Sequence, residues 1–164
     1  MAIGLIREVK LTDAEAICGI YNEYVKSSTA TFEEVPVSPA EMSERISEIT
    51  EDYPWLVYEI DGGVVGFTHA RRWKERASYR HSVETGTYLL AGLSGKGIGS
   101  ELKKAMIDKL KEAGFHAVIS GIALPNPASE ALCEKFGFEK VAHFREVGHK
   151  FGKWIDVVYW QLIL

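Results

Sequence analysis

A glycine-rich stretch in the middle of the chain reads Ser94-Gly-Lys-Gly-Ile-Gly-Ser100. It follows a strand-like segment at residues 84–90 and precedes a segment whose apolar residues recur at helical spacing. Closely spaced glycines between a strand and a helix leave backbone N–H groups unpaired at the positive end of the helix dipole. The stretch therefore predicts a loop that binds phosphate groups.

The spacing of the glycines argues against two common nucleotide sites. A Walker A loop requires Ser or Thr after its Gly-Lys pair, whereas Gly97 follows Lys96 here. A dinucleotide-binding loop requires G-x-G-x-x-G and an acidic residue about twenty positions later. Position 102 is Leu102, and the next predicted strand carries no carboxylate. What remains is a pyrophosphate site of another kind.

The composition predicts one globular domain, residues 1–164, because 46% of the residues are hydrophobic and 26% are charged. A formal net charge of −4 argues against binding to nucleic acid, which requires a basic surface. Basic side chains are nevertheless concentrated in residues 71–81. This segment could attract a small anionic molecule.

The two cysteines and the apolar runs restrict the cellular context. Cys18 and Cys133 both lie in helix-like segments and lack the spacing of a disulfide framework or a zinc site, so no metal is expected. No apolar run reaches eighteen residues, and the N-terminus does not resemble a signal peptide. We therefore expect a soluble protein in the cytoplasm that does not bind membranes.

Hydrophobic periodicity predicts the element order βαα-βββ-αβα-ββ, an α/β fold with a mixed sheet and helices on both faces. Gly86, inside the fourth strand, indicates a bulge or a close backbone approach. The predicted strands span residues 3–9, 55–60, 64–71, 84–90, 117–122, 138–144 and 154–162, and the predicted helices span 12–24, 38–49, 98–113 and 128–136.

This element order, with the glycine loop after the fourth strand, resembles the GCN5-related N-acetyltransferase (GNAT) fold over the whole chain. The family motif is Gln/Arg-x-x-Gly-x-Gly/Ala, which Gly97 and Gly99 fit. The segments 53–57, 73–76, 79–84 and 148–156 further resemble phosphinothricin, methionine sulfoximine and methionine sulfone N-acetyltransferases.

The resemblance implies acetyl transfer from acetyl-CoA to the α-amino group of a small amino acid, by a homodimer. It assigns the pantetheine arm of the cofactor to the strand backbone and its pyrophosphate to the loop. The implied cofactor-binding residues are Thr87, Tyr88, Leu89, Gly95, Lys96, Gly97, Ile98, Gly99, Ser100 and Asn126. The implied substrate-binding residues are Lys74, Glu75, Arg76, Glu84, Thr85 and Gly86.

The chain departs from the family pattern at two positions. Ser94 stands where Gln or Arg is usual, which removes one side-chain contact to phosphate. Cys133 stands where many family members have a Tyr that protonates the leaving thiolate. Cys133 is therefore either a packed core residue or a substitute acid. Asn126 likewise either caps the following helix or contacts the cofactor.

Amine acetylation requires a base, a polarised thioester and a cation for the substrate carboxylate. Glu84, at the start of the fourth strand, is the expected catalytic base. A strand N–H, that of Tyr88 or a neighbour, is expected to polarise the thioester. Arg76 and Arg80 are the expected partners of the substrate carboxylate, and Phe32 is expected to wall the side-chain pocket.

Two other functions are compatible with these residues. The first is acetylation of a peptide or protein amine, which needs an open groove and no carboxylate clamp. The second is a non-catalytic acyl-CoA sensor, which Ser94 and the absence of the usual Tyr would favour.

Overall fold

A computed structural model describes residues 4–164, which form a seven-stranded sheet and four α-helices. The elements are β1 (Leu5–Glu8), α1 (Ala14–Ser27), α2 (Pro39–Thr50), β2 (Trp55–Ile60), β3 (Gly63–Arg72), β4 (Ser82–Leu89), α3 (Ile98–Glu112), β5 (Ala117–Ala123), α4 (Pro127–Lys135), β6 (Glu139–Lys150) and β7 (Lys153–Ile163). Within residues 4–164, no helix has the length and apolar character needed to cross a membrane.

The strand order is β1-β2-β3-β4-β5-β7-β6, and β4 with β5 is the parallel pair in an otherwise antiparallel sheet. The predicted element order and the mixed sheet are thus confirmed. The main boundary difference is in β6, which continues to Lys150 rather than ending at residue 144. The predicted start of β1 at Ile3 lies outside the described residues.

Helices cover both faces of the sheet, as predicted, and each face has its own hydrophobic core. On one face, α1 and α2 bury apolar side chains such as Ile17 and Ile46 against Phe67 of β3. On the other face, α3 and α4 bury side chains such as Leu102 and Cys133 against the sheet. Each fully buried aliphatic side chain contributes about 1.5–3 kcal/mol, so the two layers fix the sheet between them.

Gly86 lies in unbroken register with His69 of β3, so the bulge predicted as one alternative is wrong. The other alternative, a close approach, is what the structure contains. A Cβ added at Gly86 would lie 3.3 Å from the ring of Tyr88 and 3.5 Å from that of His69. A Cβ here would therefore contact the ring of His69 and push the ring of Tyr88 aside by a few tenths of an ångström.

Lys150, near the end of β6, is 2% exposed and anchors the segment that follows α1. Its ammonium donates hydrogen bonds to the carbonyl oxygens of Ser28 at 2.6 Å and Thr31 at 2.8 Å. Burial lowers the pKa of Lys150. Since the carbonyls compensate the buried cation, the terminal hairpin holds residues 28–31 in a fixed position.

Replacing Lys150 with Met should destabilise the protein by about 2–3 kcal/mol, because buried carbonyls lose charged donors. Urea unfolding at pH 7 would measure the change. Lys153→Met, at an exposed position across the same turn, is the control and should unfold like the parent. Equal unfolding midpoints for Lys150→Met and the parent would show that the hydrogen bonds from the ammonium to these carbonyls do not stabilise the fold.

Candidate active site

The strands β4 and β5 pair over a short length and then diverge. The parallel ladder runs from Ser82 with Ala117 to Glu84 with Ile119, whereas β4 stays paired with β3 as far as Leu89. Residues 85–89 therefore keep one hydrogen-bonding partner strand and lose the other. A cleft opens between β4 and β5, and it widens toward the glycine loop.

Strand alternation determines which backbone groups point into this cleft. Leu90 donates its N–H to the carbonyl of Val65 at 2.8 Å, and the register is unbroken back to residue 83. Even-numbered residues of β4 therefore pair with β3, while the C=O of Thr85 and both backbone groups of Thr87 and Leu89 face the cleft. The N–H of Tyr88 points toward β3 and cannot reach a ligand in the cleft. Of the strand N–H groups expected to polarise a thioester, only those of its neighbours can do so.

The hydroxyl of Tyr24, from α1, occupies one of these cleft-facing positions. It donates to the carbonyl of Leu89 at 2.9 Å and accepts from the N–H of Leu89 at 3.2 Å. The N–H of Thr85 still pairs with the carbonyl of Ile119 in the last step of the β4–β5 ladder, whereas Thr87 lies beyond the end of that ladder. The open backbone is therefore a ready pairing edge for an extended, amide-containing ligand.

The glycine loop adopts backbone conformations that favour glycine. Gly95 has φ of +78° and Gly97 has φ of +89°, in the left-handed region, and Gly97 is the N-cap of α3. Gly95, Lys96 and Gly97 are exposed, while Ile98 packs into the core. The first-turn N–H groups of α3, including those of Gly99 and Ser100, are thus held at the mouth of the cleft.

A cation that the sequence did not indicate lies beside this loop. Lys135, in the last turn of α4, donates from its ammonium to the hydroxyl of Ser100 at 2.9 Å. Ser94, the departure from the family motif, is exposed at the start of the loop. Lys135 therefore supplies a positive charge next to a loop whose own first residue supplies none.

A cavity of about 690 Å³ lies on the α1–α2 face of the sheet and reaches the point where β4 and β5 diverge. Alternate residues of β3 and β4 form its floor, since they share one face of the sheet. The floor consists of Phe67, His69, Arg71, Glu84, Gly86 and Tyr88. Phe32 lies in the wall of this cavity, where a Cβ at Gly148 of β6 would overlap its ring.

Glu84 is the last residue of β4 that pairs with β5, and its side chain is 21% exposed. One carboxylate oxygen lies 3.4 Å from a guanidinium nitrogen of Arg71. A Cβ on Gly121 would come within 3.4 Å of the other oxygen, so that glycine leaves room for the carboxylate. Glu84 is therefore a largely buried acceptor at the junction of cavity and cleft.

The structure does not bring the predicted cations Arg76 and Arg80 into the cavity. Both side chains are exposed on the segment between β3 and β4, and Arg80 bonds to the carbonyl of Ala77 at 3.2 Å. Lys74 and Glu75 are also exposed and outside the cavity wall. The cations that do line the cavity are Arg71, which belongs to the basic segment 71–81, and Arg45 of α2.

Arg45 forms a charged cluster with Glu33 and Tyr21 at the cavity wall. Its guanidinium donates to both oxygens of Glu33, at 2.9 and 2.6 Å, and the hydroxyl of Tyr21 donates to the same carboxylate. Arg45 holds the pKa of Glu33 below its ordinary value, and burial raises the pKa of Tyr21 to about 12. No sequence pattern indicates this cluster, because α1, α2 and an irregular segment contribute one residue each.

His69 is a further cavity residue that sequence reasoning missed. Its ring stacks on Trp55 at a centroid distance of 4.6 Å, and its Nδ1 has no hydrogen-bond partner among the described residues. Burial, helped by the nearby arginines, lowers the pKa of His69 to about 3. The ring is therefore neutral at pH 7 and forms an uncharged part of the cavity floor.

A second, smaller cavity of about 90 Å³ lies where the cleft meets α3 and α4. Asn126 lines this cavity and also caps α4 by accepting from the N–H of Ser129 at 3.2 Å, so its two predicted roles are compatible. Cys133 lines it as well but is 2% exposed and belongs to the core. Thr85 and Gly86 border both cavities, so the two spaces adjoin at the head of the cleft.

Comparisons with known proteins agree with this architecture. The family model for an acetyltransferase (GNAT) domain matches residues 6–159. A phosphinothricin N-acetyltransferase from Streptomyces viridochromogenes is 35% identical, over 95% of this chain and 85% of its own. An L-methionine sulfoximine/L-methionine sulfone acetyltransferase from Pseudomonas aeruginosa is 33% identical, over 97% of this chain and 94% of its own.

A solved structure extends the comparison to three dimensions. The GNAT superfamily phosphinothricin acetyltransferase from Sinorhizobium meliloti, in complex with acetyl-CoA, superimposes with a TM-score of 0.95. It is 36% identical, over 98% of this chain and 88% of that one. The chain therefore belongs to the GNAT family, and it is an N-acetyltransferase.

Replacing Arg45 with Met should raise the pKa of Glu33 toward or above its ordinary 4.5. Because the folded-state pKa of Glu33 is lowered, its contribution to stability is present above pH 4.5 and is lost as the pH falls through the folded pKa. The variant should melt below the parent at pH 7, and this difference should shrink below pH 4.5. Arg80→Met, at an exposed position, is the control for melting at both pH values.

Proposed function

We propose that this enzyme transfers the acetyl group of acetyl-CoA to the α-amino group of a small amino acid of the phosphinothricin, methionine sulfoximine or methionine sulfone type. The observation that carries the proposal is the junction at Glu84, where a cavity lined by two arginines meets an open strand edge that leads from the glycine loop. The names of the relatives support the substrate class.

The residues along the cleft fit the chemistry of coenzyme A. The loop residues Gly95 to Ser100 would hold the pyrophosphate through backbone N–H groups, assisted by the ammonium of Lys135. The cleft-facing amide of Thr87 would pair with a pantetheine amide, next to the side chain of Tyr88. The amide of Leu89 would do the same by exchanging its present partner, the hydroxyl of Tyr24, for the cofactor, and Asn126 would contact the cofactor from α4. Acetyl-CoA itself supplies an activated acyl carbon and a thiolate leaving group.

Glu84 would accept the proton that the substrate amine must lose. Its carboxylate borders the cavity, and the guanidinium of Arg71 lies 3.4 Å from one of its oxygens. Proton transfer to a positioned carboxylate contributes about 10²–10⁴-fold to a rate. The N–H of Thr87, rather than that of Tyr88, would polarise the thioester carbonyl, because it faces the cleft beyond the end of the β4–β5 ladder.

Arg71 replaces Arg76 and Arg80 as our proposed partner of the substrate carboxylate. Its guanidinium lies in the cavity, and the pair it makes with Glu84 positions it beside the reacting amine. An α-amino acid has its carboxylate one carbon away from its amine, so one arginine beside the base suits this substrate class. Phe32 and His69 would enclose the substrate side chain without adding charge.

We also propose that the enzyme works as a homodimer in the cytoplasm. The hairpin of β6 and β7 exposes large apolar side chains, among them Val147 at 60% and Trp154 at 67%, which a second subunit could cover. Cys18 and Cys133 are free thiols, which is typical of proteins in a reducing compartment.

Replacing Glu84 with Gln should lower kcat at pH 7 by about 10²–10⁴-fold, because the proton acceptor is lost without a change of shape. The loss should shrink as the pH rises and the free amine becomes deprotonated in solution. Calorimetry should find acetyl-CoA affinity within about 2-fold of the parent. Glu75→Gln, at a carboxylate that is 91% exposed, should leave kcat unchanged. Parental activity of Glu84→Gln across about pH 6 to 9 would remove Glu84 from the mechanism.

Replacing Arg71 with Met should lower kcat/KM for the amino acid by about 10–100-fold, since a charged hydrogen bond contributes about 1.5–3 kcal/mol. An amine that lacks the α-carboxylate should be acetylated at a similar low rate by the variant and the parent. Arg80→Met should match the parent on both substrates. An equal loss on both substrates would mean that Arg71 acts only by holding Glu84.

Thiol release over a panel of amino acids and N-terminal peptides separates the three candidate functions. Turnover with methionine sulfone or phosphinothricin supports the proposal, and turnover with peptides alone would assign a protein substrate. Binding of acetyl-CoA in calorimetry with no thiol release would indicate a sensor.

A further inference from the structure

We propose that Lys103 is a catalytic residue that donates a proton to the sulfur of coenzyme A as the thiolate departs. The inference rests on the proposed function and concerns the face of the sheet opposite to Glu84. It arises from a buried ammonium on α3 that the mechanism above does not use.

The ammonium of Lys103 is buried beside the cleft, with the residue 8% exposed. It donates to the hydroxyl of Ser120 on β5 at 3.3 Å and lies 4.3 Å from the ring centre of Phe138. The thiol of Cys133, from α4, is the titratable group that contacts it. Within residues 4–164, no carboxylate forms an ion pair with it.

A buried cation without a counterion is costly, so proteins pair such groups or neutralise them. Lys150 illustrates the usual solution, because backbone carbonyls surround its ammonium. Lys103 has a hydroxyl, a thiol and a ring instead, which compensate a charge only weakly. An anion that formed beside this ammonium during a reaction would therefore supply the counterion that it lacks.

The second cavity shows where that anion would form. Lys103 and Cys133 line it together with residues 85–88 of β4, and it adjoins the first cavity at Thr85 and Gly86. In the proposed function the pyrophosphate of acetyl-CoA lies at the glycine loop and the substrate amine lies beside Glu84. The acyl carbon must then lie at this junction to react with the amine. The sulfur of the thioester therefore lies on the cleft side of the junction, which is the side that Lys103 lines.

The two proton transfers thus occur on opposite faces of the sheet. Glu84 projects toward the α1–α2 face, whereas Lys103 approaches from α3 on the other face. The amine nitrogen forms a bond to the acyl carbon and the carbon–sulfur bond breaks, leaving its electron pair on sulfur. Lys103 gives its proton to that sulfur, Glu84 takes the proton of the amine, and solvent restores both groups.

The direction of the pKa shift agrees with this role. Burial lowers the pKa of Lys103 from its ordinary value. A less basic ammonium gives up its proton more readily to a thiolate, whose conjugate acid has a pKa of about 8.5 in a simple thiol. Lys103 and a bound thiol would titrate as a coupled pair.

The test measures the ionisation of bound coenzyme A, without turnover. Ultraviolet absorbance detects the thiolate, so a pH titration of the free-thiol form of coenzyme A bound to the enzyme gives its apparent pKa. Because the ammonium of Lys103 and the bound sulfur share one proton, part of the thiolate signal of the parent should appear at a pH at least about one unit lower than that of Lys103→Met. Lys104→Met, at the exposed neighbouring lysine, should match the parent.

Kinetics provide a second readout. Lys103→Met should lower kcat for the amino-acid substrate by about 10–100-fold with little change in KM for acetyl-CoA. Melting temperatures of both lysine variants should stay close to that of the parent, because Met fills the volume of the Lys side chain. Lys104→Met should keep parental kcat.

Three results would overturn the inference. One is an identical thiol titration for the parent and Lys103→Met, and a second is unchanged kcat in that variant. The third is acetylation of Lys103 itself on mixing with acetyl-CoA, which would make it an acceptor rather than an acid. If the parent acetylated no amine, the proposed function would fail, while the thiol titration would still report on Lys103.

Discussion

The early end of the ladder between β4 and β5 is the constraint on which the rest of the site depends. The two strands share three residue pairs and then separate, while β4 remains fixed to β3 over its whole length. A strand that has lost one neighbour leaves amides without partners, which is costly unless a ligand or water pairs with them. The same separation lies where the cavity of about 690 Å³ adjoins the smaller cavity beside α3 and α4, so it is the point at which cofactor and substrate would meet in the proposed function.

The cavity is assembled from parts that are remote in sequence, and its charges depend on one another. Arg45 of α2 holds Glu33 of the irregular segment, and Arg71 of β3 holds Glu84 of β4. Lys150, from the terminal hairpin, fixes the carbonyls of residues 28–31 that lead into this wall. The polar wall of the site is therefore stabilised by contacts that close long loops of the chain, which makes it a product of the completed fold.

The two buried lysines illustrate how surroundings give one residue type different roles. Lys150 directs its ammonium at carbonyl oxygens that satisfy it, so it acts as an anchor. Lys103 meets a hydroxyl, a thiol and an aromatic ring beside an open cavity, so its charge lacks a full partner. Burial lowers the pKa of both side chains, and only the position beside the cleft connects Lys103 to the proposed chemistry.

Periodicity, glycine spacing and strand order are local signals, so the sequence was enough to predict the element order, the glycine loop between β4 and α3 and the place of Glu84 on β4. It did not distinguish Arg71 from Arg76 and Arg80, since all three lie in one basic segment and only the pairing of β3 with β4 brings Arg71 opposite Glu84. The cluster of Arg45 with Glu33, and the burial of Lys103, were decided by tertiary structure alone. Both depend on helices and loops that pack together only in the folded protein, and the spacing of residues along the chain carries no signal of that packing.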